Sequence, residues 1–177
     1  MAKISSISFI ILLSIALCVV ACKVPKGYTS DKFQIFWQDR LNVTDFILIL
    51  GLTNIGTGIT PVSGPYGTMI VFDDPVTVTP DFNSKVIGSI RGTGSVCKLD
   101  GLSTCWAFTI RLTEGKYKGT LTFSSEIDPT KKDVAPISGG TGDFLFAQGF
   151  ASSTPVDIRT TNTTYSVDLN VFWPPFE

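Results

Sequence analysis

The sequence predicts an all-β fold, either a sandwich or a barrel. Apolar and polar residues alternate with a period of two in several short segments, which is the pattern of strands that bury one face. Glycine and proline interrupt these segments at short intervals, and beyond the N-terminal apolar run no long stretch has the 3.6-residue period of a helix. Many short strands joined by tight turns are typical of antiparallel sandwiches and barrels.

The N-terminal segment has the features of a secretory signal. Lys3 precedes an apolar run over residues 7–20, and small residues stand ahead of a cleavage point. A run of about 14 residues is short for a membrane span. We therefore expect a signal peptide over residues 1–21, one β-domain over residues 22–177, and secretion without a membrane span. The alternative is a bacterial lipoprotein with a lipidated Cys22.

Five segments beyond the signal suggest strands and turns. Apolar and polar residues alternate clearly at residues 33–38, 106–113 and 165–171, which predicts strands. Residues 67–78 are apolar on both faces, so we expect the core on one side of this strand and a partner subunit on the other. Residues 113–123 contain turn residues between apolar segments and are predicted to form a hairpin.

Cysteine positions and sequons both fit an exported eukaryotic chain. Cys97 and Cys105 flank the loop CKLDGLSTC, in which Gly101 permits a turn, and we expect them to form a disulfide. A reactive thiol would need a lowered pKa, for which the sequence gives no cause. Glycosylation sequons begin at Asn42 and Asn162, which favours the eukaryotic route over the lipoprotein alternative.

The stretch SGGTGDFLFAQGFAS, residues 138–152, has the glycine content of a phosphate-binding loop. Such a loop needs its glycines between a strand and a helix, followed by a lysine. Here phenylalanine recurs at alternate positions after the glycines, which predicts a strand, and the lysine is missing. We therefore reject nucleotide binding and assign Gly139, Gly140 and Gly142 to positive φ or to close backbone packing.

Composition excludes several classes of function. The chain has 177 residues and 44% hydrophobic content, which suits one domain with a substantial core. Its net charge of -1 gives no electrostatic reason to expect nucleic acid as a partner. The chain has no histidine, so a Ser-His-Asp triad and histidine-ligated metal sites are excluded, and we expect no metal site.

The glycine-rich stretch resembles the GGTGDF-x-x-ARG-x-A signature of plant dirigent proteins. Four other segments follow in the order of that family: FWQD, IVFDDPVT, SKVIGSIRG and EGKYKGTLTFSSEI, which with the first span residues 33–152. The resemblance implies an eight-stranded antiparallel β-barrel, usually a homotrimer, secreted to the plant apoplast. Allene oxide cyclases share that barrel.

The resemblance also implies a function. Dirigent proteins, known from phenylpropanoid and lignan biosynthesis, hold phenoxy radicals or quinone methides so that coupling or cyclisation is stereoselective. They need no metal or cofactor of their own, because a separate oxidase, a laccase or peroxidase, supplies the radicals.

Two aspartates are the candidate catalytic residues. Asp39 continues the apolar parity of the first strand, so alternation points its carboxyl into the barrel, where desolvation would raise the pKa toward that of a general acid. The alternative is a solvated turn residue. Asp143 lies in the glycine-rich motif, where the resemblance implies a pocket aspartate that protonates or polarises a quinone methide oxygen. Its alternative is a turn-capping side chain.

Four further residues are candidates for substrate contact: Trp37, Asp73, Phe144 and Gln148. Aromatic side chains would supply stacking surface. Asp73 and Asp74 precede a proline, so we expect a turn role for at least one of them. Gln148 stands where the family has arginine, which keeps hydrogen bonding and loses the charge, and Gln38 replaces a histidine of the family.

Hypotheses of different classes follow. The first is a secreted dirigent-type barrel that directs the coupling or ring closure of an oxidised phenolic, with Asp39 and Asp143 as acid or polarising groups. The second, favoured by Gln148, is a non-catalytic binding module of the cell wall, related to defence or carbohydrate binding. Cyclisation of an epoxide lipid, as in allene oxide cyclases, has only the analogy of fold behind it.

Overall fold

The structure, a computed structural model, describes residues 25–60 and 62–175, so the predicted signal peptide and Cys22 lie outside the described residues. Within those ranges no helix is long and apolar enough to cross a membrane. The strands are β1 (Thr29–Arg40), β2 (Asp45–Ile49), β3 (Leu52–Thr60), β4 (Ser63–Tyr66), β5 (Met69–Thr77), β6 (Val86–Val96), β7 (Thr104–Leu112), β8 (Gly119–Ile127), β9 (Asp133–Gly142), β10 (Gln148–Ile158) and β11 (Asn162–Trp173).

Eight of these strands close into an antiparallel barrel, which confirms the predicted fold. Their order around the ring is β1, β11, β10, β9, β8, β7, β6 and β5. The ring closes where β1 pairs with β5, through Phe36 with Thr77 and Trp37 with Val76. β2 continues from β1 and pairs with the first half of β5, while β3 and β4 form a separate hairpin. One edge of β5 is therefore shared by β1 and β2.

Alternate side chains of the strands fill the barrel with apolar and aromatic groups, as the period-two pattern predicts. Near the end of the barrel where β1 finishes, here called the upper end, the Trp37 ring lies against Tyr165, Phe72, Trp106 and Phe108. The ring centroids are between 4.8 and 6.4 Å from that of Trp37. We call these five side chains the aromatic wall.

A buried phenylalanine closes the opposite end, here called the lower end. Phe144 is fully buried, and its ring packs on those of Phe33, Tyr117 and Trp173, with centroids 5.6 to 6.4 Å apart. Burial of a phenylalanine side chain contributes about 1.5–3 kcal/mol to stability. The lower end is therefore a packed plug.

The strand predicted after the glycines is wrong in its first half. β9 ends at Gly142, residues 143–146 form turns, and β10 begins only at Gln148. Gly142 has a φ of +64°, and a Cβ on Gly140 would clash with the backbone of Phe144. The glycines thus serve both conformation and close packing, as predicted, and the turn they permit carries Phe144 into the plug.

The turn predicted at Asp73 and Asp74 is also wrong, because both residues lie inside β5. Asp73 is exposed on the outer face of the barrel, and Asp74 is buried on the inner face. Pro75 is tolerated because it stands where the edge partner of β5 changes from β2 to β1, a gap in the ladder that does not need its N–H.

The predicted disulfide is confirmed. Cys97 and Cys105 are bonded, with Cα atoms 5.8 Å apart, within the usual range for a disulfide. Gly101, at a φ of +78°, makes the turn between them, and β6 and β7 run away from the loop as an antiparallel pair. The bond closes this hairpin at the upper end of the barrel.

Replacing both cysteines with alanine should lower the free energy of unfolding by about 2.5 kcal/mol, because the unfolded chain regains the entropy of a short closed loop. Urea unfolding at pH 7 measures the difference. The wild-type protein treated with a reductant is the matched control and should reach the same value. A loss below about 0.5 kcal/mol in both samples would show that the bond does not constrain the unfolded chain.

Candidate active site

Three buried aspartates converge at the upper end of the barrel. Asp39 stands at the end of β1, Asp45 opens β2, and Asp74 lies on the inner face of β5. Each is at most 4% exposed. The chain brings them together because a tight turn after β1, with Asn42 at a φ of +62°, returns β2 to the edge of β5. We call these three residues the acidic cluster.

Burial raises the pKa of every carboxyl in the acidic cluster, because it penalises the charged form. The pKa of Asp39 is well above its ordinary value, through burial and then the charges of Asp74 and Asp45. Burial raises the pKa of Asp45 to about 7 and that of Asp74 to about 6. A hydrogen bond joins the carboxyls of Asp39 and Asp45. The cluster therefore holds exchangeable protons near neutral pH.

Aromatic residues hold the cluster in place. The indole N–H of Trp37 donates to Asp74 Oδ2 at 2.7 Å. Tyr165 packs on Trp37, and burial followed by the charge of Asp39 raises the pKa of its phenol well above the ordinary value. The phenol of Tyr165 therefore stays protonated. The site combines proton-donating carboxyls with flat apolar surface.

One oxygen of each carboxyl lacks a hydrogen-bond partner outside the cluster among the described residues. The Oδ1 atoms of Asp39, Asp45 and Asp74 are buried and make no hydrogen bond to any residue outside the cluster within the described ranges. An unpaired buried polar atom costs about 1–3 kcal/mol, so such atoms in a native fold call for a functional explanation. Across residues 25–60 and 62–175, no group of acidic or cysteine side chains is arranged to hold a metal ion.

A narrow cavity of about 20 Å³ reaches the cluster beneath the β3–β4 hairpin. Asp45 is the only member of the acidic cluster that lines it. Small-molecule sites usually have several hundred Å³, so this cavity is smaller than a phenol-sized ligand. Most of the cavity wall is apolar and includes Ile47, Ile59, Val62, Ile70, Val96 and Trp106.

The structure separates the two predicted catalytic aspartates. Asp39 is inward and buried, so the alternative of a solvated turn residue is wrong. Asp143 is exposed at the lower end, where its Oδ2 accepts the backbone N–H of Lys118 at 2.8 Å. Its neighbour Phe144 packs on Phe33, which is six residues before Asp39 on β1, roughly 20 Å along the strand. One ligand atom cannot contact both carboxyls.

The predicted substrate-contact residues are also dispersed. Trp37 belongs to the aromatic wall, whereas Phe144 belongs to the plug at the lower end. Asp73 faces outward and pairs with Arg91 at 2.7 Å, and Gln148 is exposed at the start of β10. Of these four predicted residues, Trp37 alone contacts the acidic cluster through a hydrogen bond among those described.

Gln38, in the position of the family's histidine, faces away from the barrel interior. Its amide donates to Thr77 Oγ1 and accepts from Thr164 Oγ1, both at 2.9 Å. It also donates to the Pro80 carbonyl at 3.3 Å, at the start of the loop that follows β5. Gln38 therefore fixes the outer packing of β1 while Asp39 points inward.

Sequence reasoning missed Asp45 and gave Asp74 no role beyond the turn expected for at least one of Asp73 and Asp74. The one local signal for Asp45 is that it shares the inward parity of Ile47 in β2.

The two sequons flank this end of the barrel: Asn42 is exposed in the turn before β2, and Asn162 is half-buried opposite Arg40. Glycosylation at both positions stays a prediction.

Comparison with known proteins identifies a family. A family model described as "Dirigent-like protein" matches residues 31–172. Pterocarpan synthase 1 of Glycine max is 30% identical over 112 residues, which cover 61% of this chain and 60% of that protein. Dirigent protein 11 of Arabidopsis thaliana is 31% identical over 109 residues, 60% of this chain and 55% of its own length. The chain thus matches little more than half the length of these relatives.

A solved structure shares the fold. The structure of a pterocarpan synthase dirigent protein superposes with a TM-score of 0.72 and covers 84% of this chain and 97% of its own. Sequence identity in that superposition is 20%, so the likeness bears on the fold alone.

Because the pKa of Asp45 is raised in the folded protein, the stability of the fold should decrease as pH rises. Between about pH 4 and pH 7 the folded protein binds more protons at Asp45 than the unfolded chain does, so stability falls as pH rises through this window. Asn cannot ionise, so Asp45→Asn should flatten that fall and raise the free energy of unfolding at pH 8 by on the order of 2 kcal/mol.

Urea unfolding at unit steps from pH 4 to pH 8 measures this effect. The matched control is Asp157→Asn, which changes an exposed aspartate paired with Arg159 and should keep the wild-type slope. A slope in Asp45→Asn equal to that of the wild type would contradict the assignment.

Proposed function

Because the chain belongs to the dirigent-like protein family, we propose that it is a secreted protein that binds oxidised phenolics and directs their stereoselective coupling or cyclisation. The ligands are phenoxy radicals or quinone methides. The observation that carries the proposal is the acidic cluster beneath the aromatic wall, where protonated carboxyls lie beside a stacking surface. Its match to a pterocarpan synthase of Glycine max supports a phenolic substrate class.

The arrangement suits control of a reactive phenolic. Trp106 of the aromatic wall lines the cavity and offers an aromatic surface on which a phenol ring would stack. A protonated carboxyl of the acidic cluster would polarise or protonate the oxygen of a quinone methide, and burial raises the pKa of these carboxyls. The enclosed site also excludes water that would otherwise add to the ligand. With one face against the wall, the ring is open to attack on the other.

The proposal extends to partners and location. A separate oxidase, a laccase or peroxidase in the apoplast, would generate the radicals, and the protein would use no metal or cofactor. Exposed apolar side chains on and after β2 support self-association as a homotrimer, since large apolar patches on a surface mark interaction sites. They are Phe46, Leu48, Ile49, Leu50 and Leu52.

A second candidate function is a binding module without catalysis, supported by a surface groove at the lower end. Tyr117, Trp173, Lys116 and Asp143 line this groove. Partly exposed aromatic rings beside charged groups fit a sugar, which presents an apolar face and a rim of hydroxyls. A glycan array screened with the purified protein tests the candidate: signal above background that falls in Trp173→Ala supports it, and a blank array refutes it.

The first function predicts an enantiomeric excess. Coniferyl alcohol mixed with a one-electron oxidant should give racemic coupled products alone and an excess of one enantiomer with the protein. Asp39→Asn should reduce that excess to near zero, because an amide keeps the shape of the site and removes an acidic group from the cluster. Chiral chromatography measures the products.

Two further variants make the result specific. Asp157→Asn removes an exposed aspartate and should retain the full excess. Asp143→Asn tests the lower end, and a loss as complete as that of Asp39→Asn would contradict chemistry at the acidic cluster. Racemic products from the intact wild-type protein, with coniferyl alcohol and with a quinone methide, would refute the proposed function.

A further inference from the structure

We propose that Asp45 is the acid that contacts the ligand, in the cavity beneath the β3–β4 hairpin, and that Asp39 is the positioning residue behind it. This inference rests on the proposed function, because it assigns the proton donor of that reaction. None of the segments that resemble dirigent proteins contains Asp45, which lies between FWQD and IVFDDPVT in the sequence.

Access to the ligand distinguishes the members of the acidic cluster. Asp45 lines the cavity, whereas Asp39 and Asp74 do not. The β3–β4 hairpin covers the same cavity with Ile59 and Val62, so a ligand that enters by displacing the hairpin meets the Asp45 carboxyl first. Apolar side chains form most of the wall, and the acid is therefore placed to recognise the single polar atom of an aromatic ring system.

The contact between carboxyls gives Asp39 its role. Asp39 is 4% exposed, hydrogen-bonds to Asp45, and is enclosed by β11, where its Cα partner is Thr163. It therefore reaches the ligand only through Asp45. A carboxyl with a raised pKa in this position orients the Asp45 carboxyl through the hydrogen bond between them.

The reaction step assigned to Asp45 is an isomerisation of the ligand and needs no oxidant. The Asp45 carboxyl gives its proton to the carbonyl oxygen of a quinone methide, and the exocyclic C=C electron pair moves into the ring and restores its aromaticity. A hydroxyl oxygen of the same ligand then bonds to the methide carbon, and its proton passes to the Asp45 carboxylate. The product is an isomer of the quinone methide, a cyclic ether that carries a phenol.

Titratable and charged groups from three strands face Asp45 and set the pH at which the step fails. They are Asp39 on β1, Asp74 on β5 and Tyr165 on β11. Burial and then the charge of Asp74 raise the pKa of Asp45 to about 7. Because the acid form is the active one, the rate should fall as pH rises through about 7.

The experiment uses the full-length secreted protein and a para-quinone methide with a pendant alcohol, generated in place by oxidising its phenol with silver oxide. Loss of the quinone methide absorbance gives the rate from pH 5 to pH 9, and chiral chromatography gives the enantiomeric excess. Asp45→Asn should lower the protein-dependent rate roughly 100-fold and remove the fall above pH 7. Asp45→Glu keeps a carboxyl and should restore the decrease in rate above pH 7.

Binding and folding are measured beside the rate. Quenching of tryptophan fluorescence by the parent phenol should give dissociation constants within about threefold for the wild type and Asp45→Asn, because Trp37 and Trp106 are retained. Asp157→Asn is the matched control and should keep the wild-type rate. Circular dichroism tests whether each variant is folded. If Asp45→Asn is not folded, the pH profiles of the wild type and of Asp45→Glu decide whether the carboxyl at position 45 sets the pH dependence of the rate.

The outcomes separate the two proposals. A wild-type protein that neither accelerates ring closure nor gives an enantiomeric excess would refute the proposed function, and the inference with it. A wild type that does both, with Asp45→Asn retaining the rate and the fall near pH 7, would overturn the inference and leave the function standing. A wild-type rate that does not change between pH 6 and pH 8 would also overturn the inference.

Discussion

Burial of three carboxyls inside one end of a closed barrel is the constraint on which the rest of the structure depends. A charged group buried without a partner is costly, and the fold meets that cost by keeping protons on the acidic cluster. The surrounding groups fit this state, because Trp37 donates a hydrogen bond to Asp74 and Tyr165 remains a neutral phenol. The acid chemistry proposed for the cluster and the upper limit on pH predicted for it therefore have one physical origin.

The two ends of the barrel are built for different purposes. At the lower end the glycine-rich motif makes a turn, Phe144 fills the interior, and the Asp143 carboxylate caps a neighbouring backbone N–H. At the upper end the disulfide closes the β6–β7 hairpin, and the change of partner along β5 leaves room for polar side chains. The strongest motif of the resemblance thus belongs to the closed end, far from the acidic cluster.

Much of the fold could be predicted from the sequence, because alternation with a period of two is a local property. It placed Trp37 and Asp39 inside the barrel, and the spacing of the cysteines indicated their bond. Asp45 could not be found in this way, since its place in the cluster depends on β2 joining the edge of β5, a pairing that no local pattern encodes. The first half of the strand predicted after Gly142 was wrong because two alternating phenylalanines fit a turn as well as a strand.

The location of Gln148 changes the weight of the hypothesis that catalysis has been lost. The replacement of the family's arginine by Gln148 would count against catalysis only if residue 148 faced the acidic cluster. Gln148 is exposed at the start of β10, opposite Phe172 near the lower end, whereas the acidic cluster lies at the upper end. Two sites separated by most of the length of a strand share no ligand of phenolic size. The missing guanidinium therefore affects the lower end, and the acid role proposed for the upper end depends on the carboxyls there.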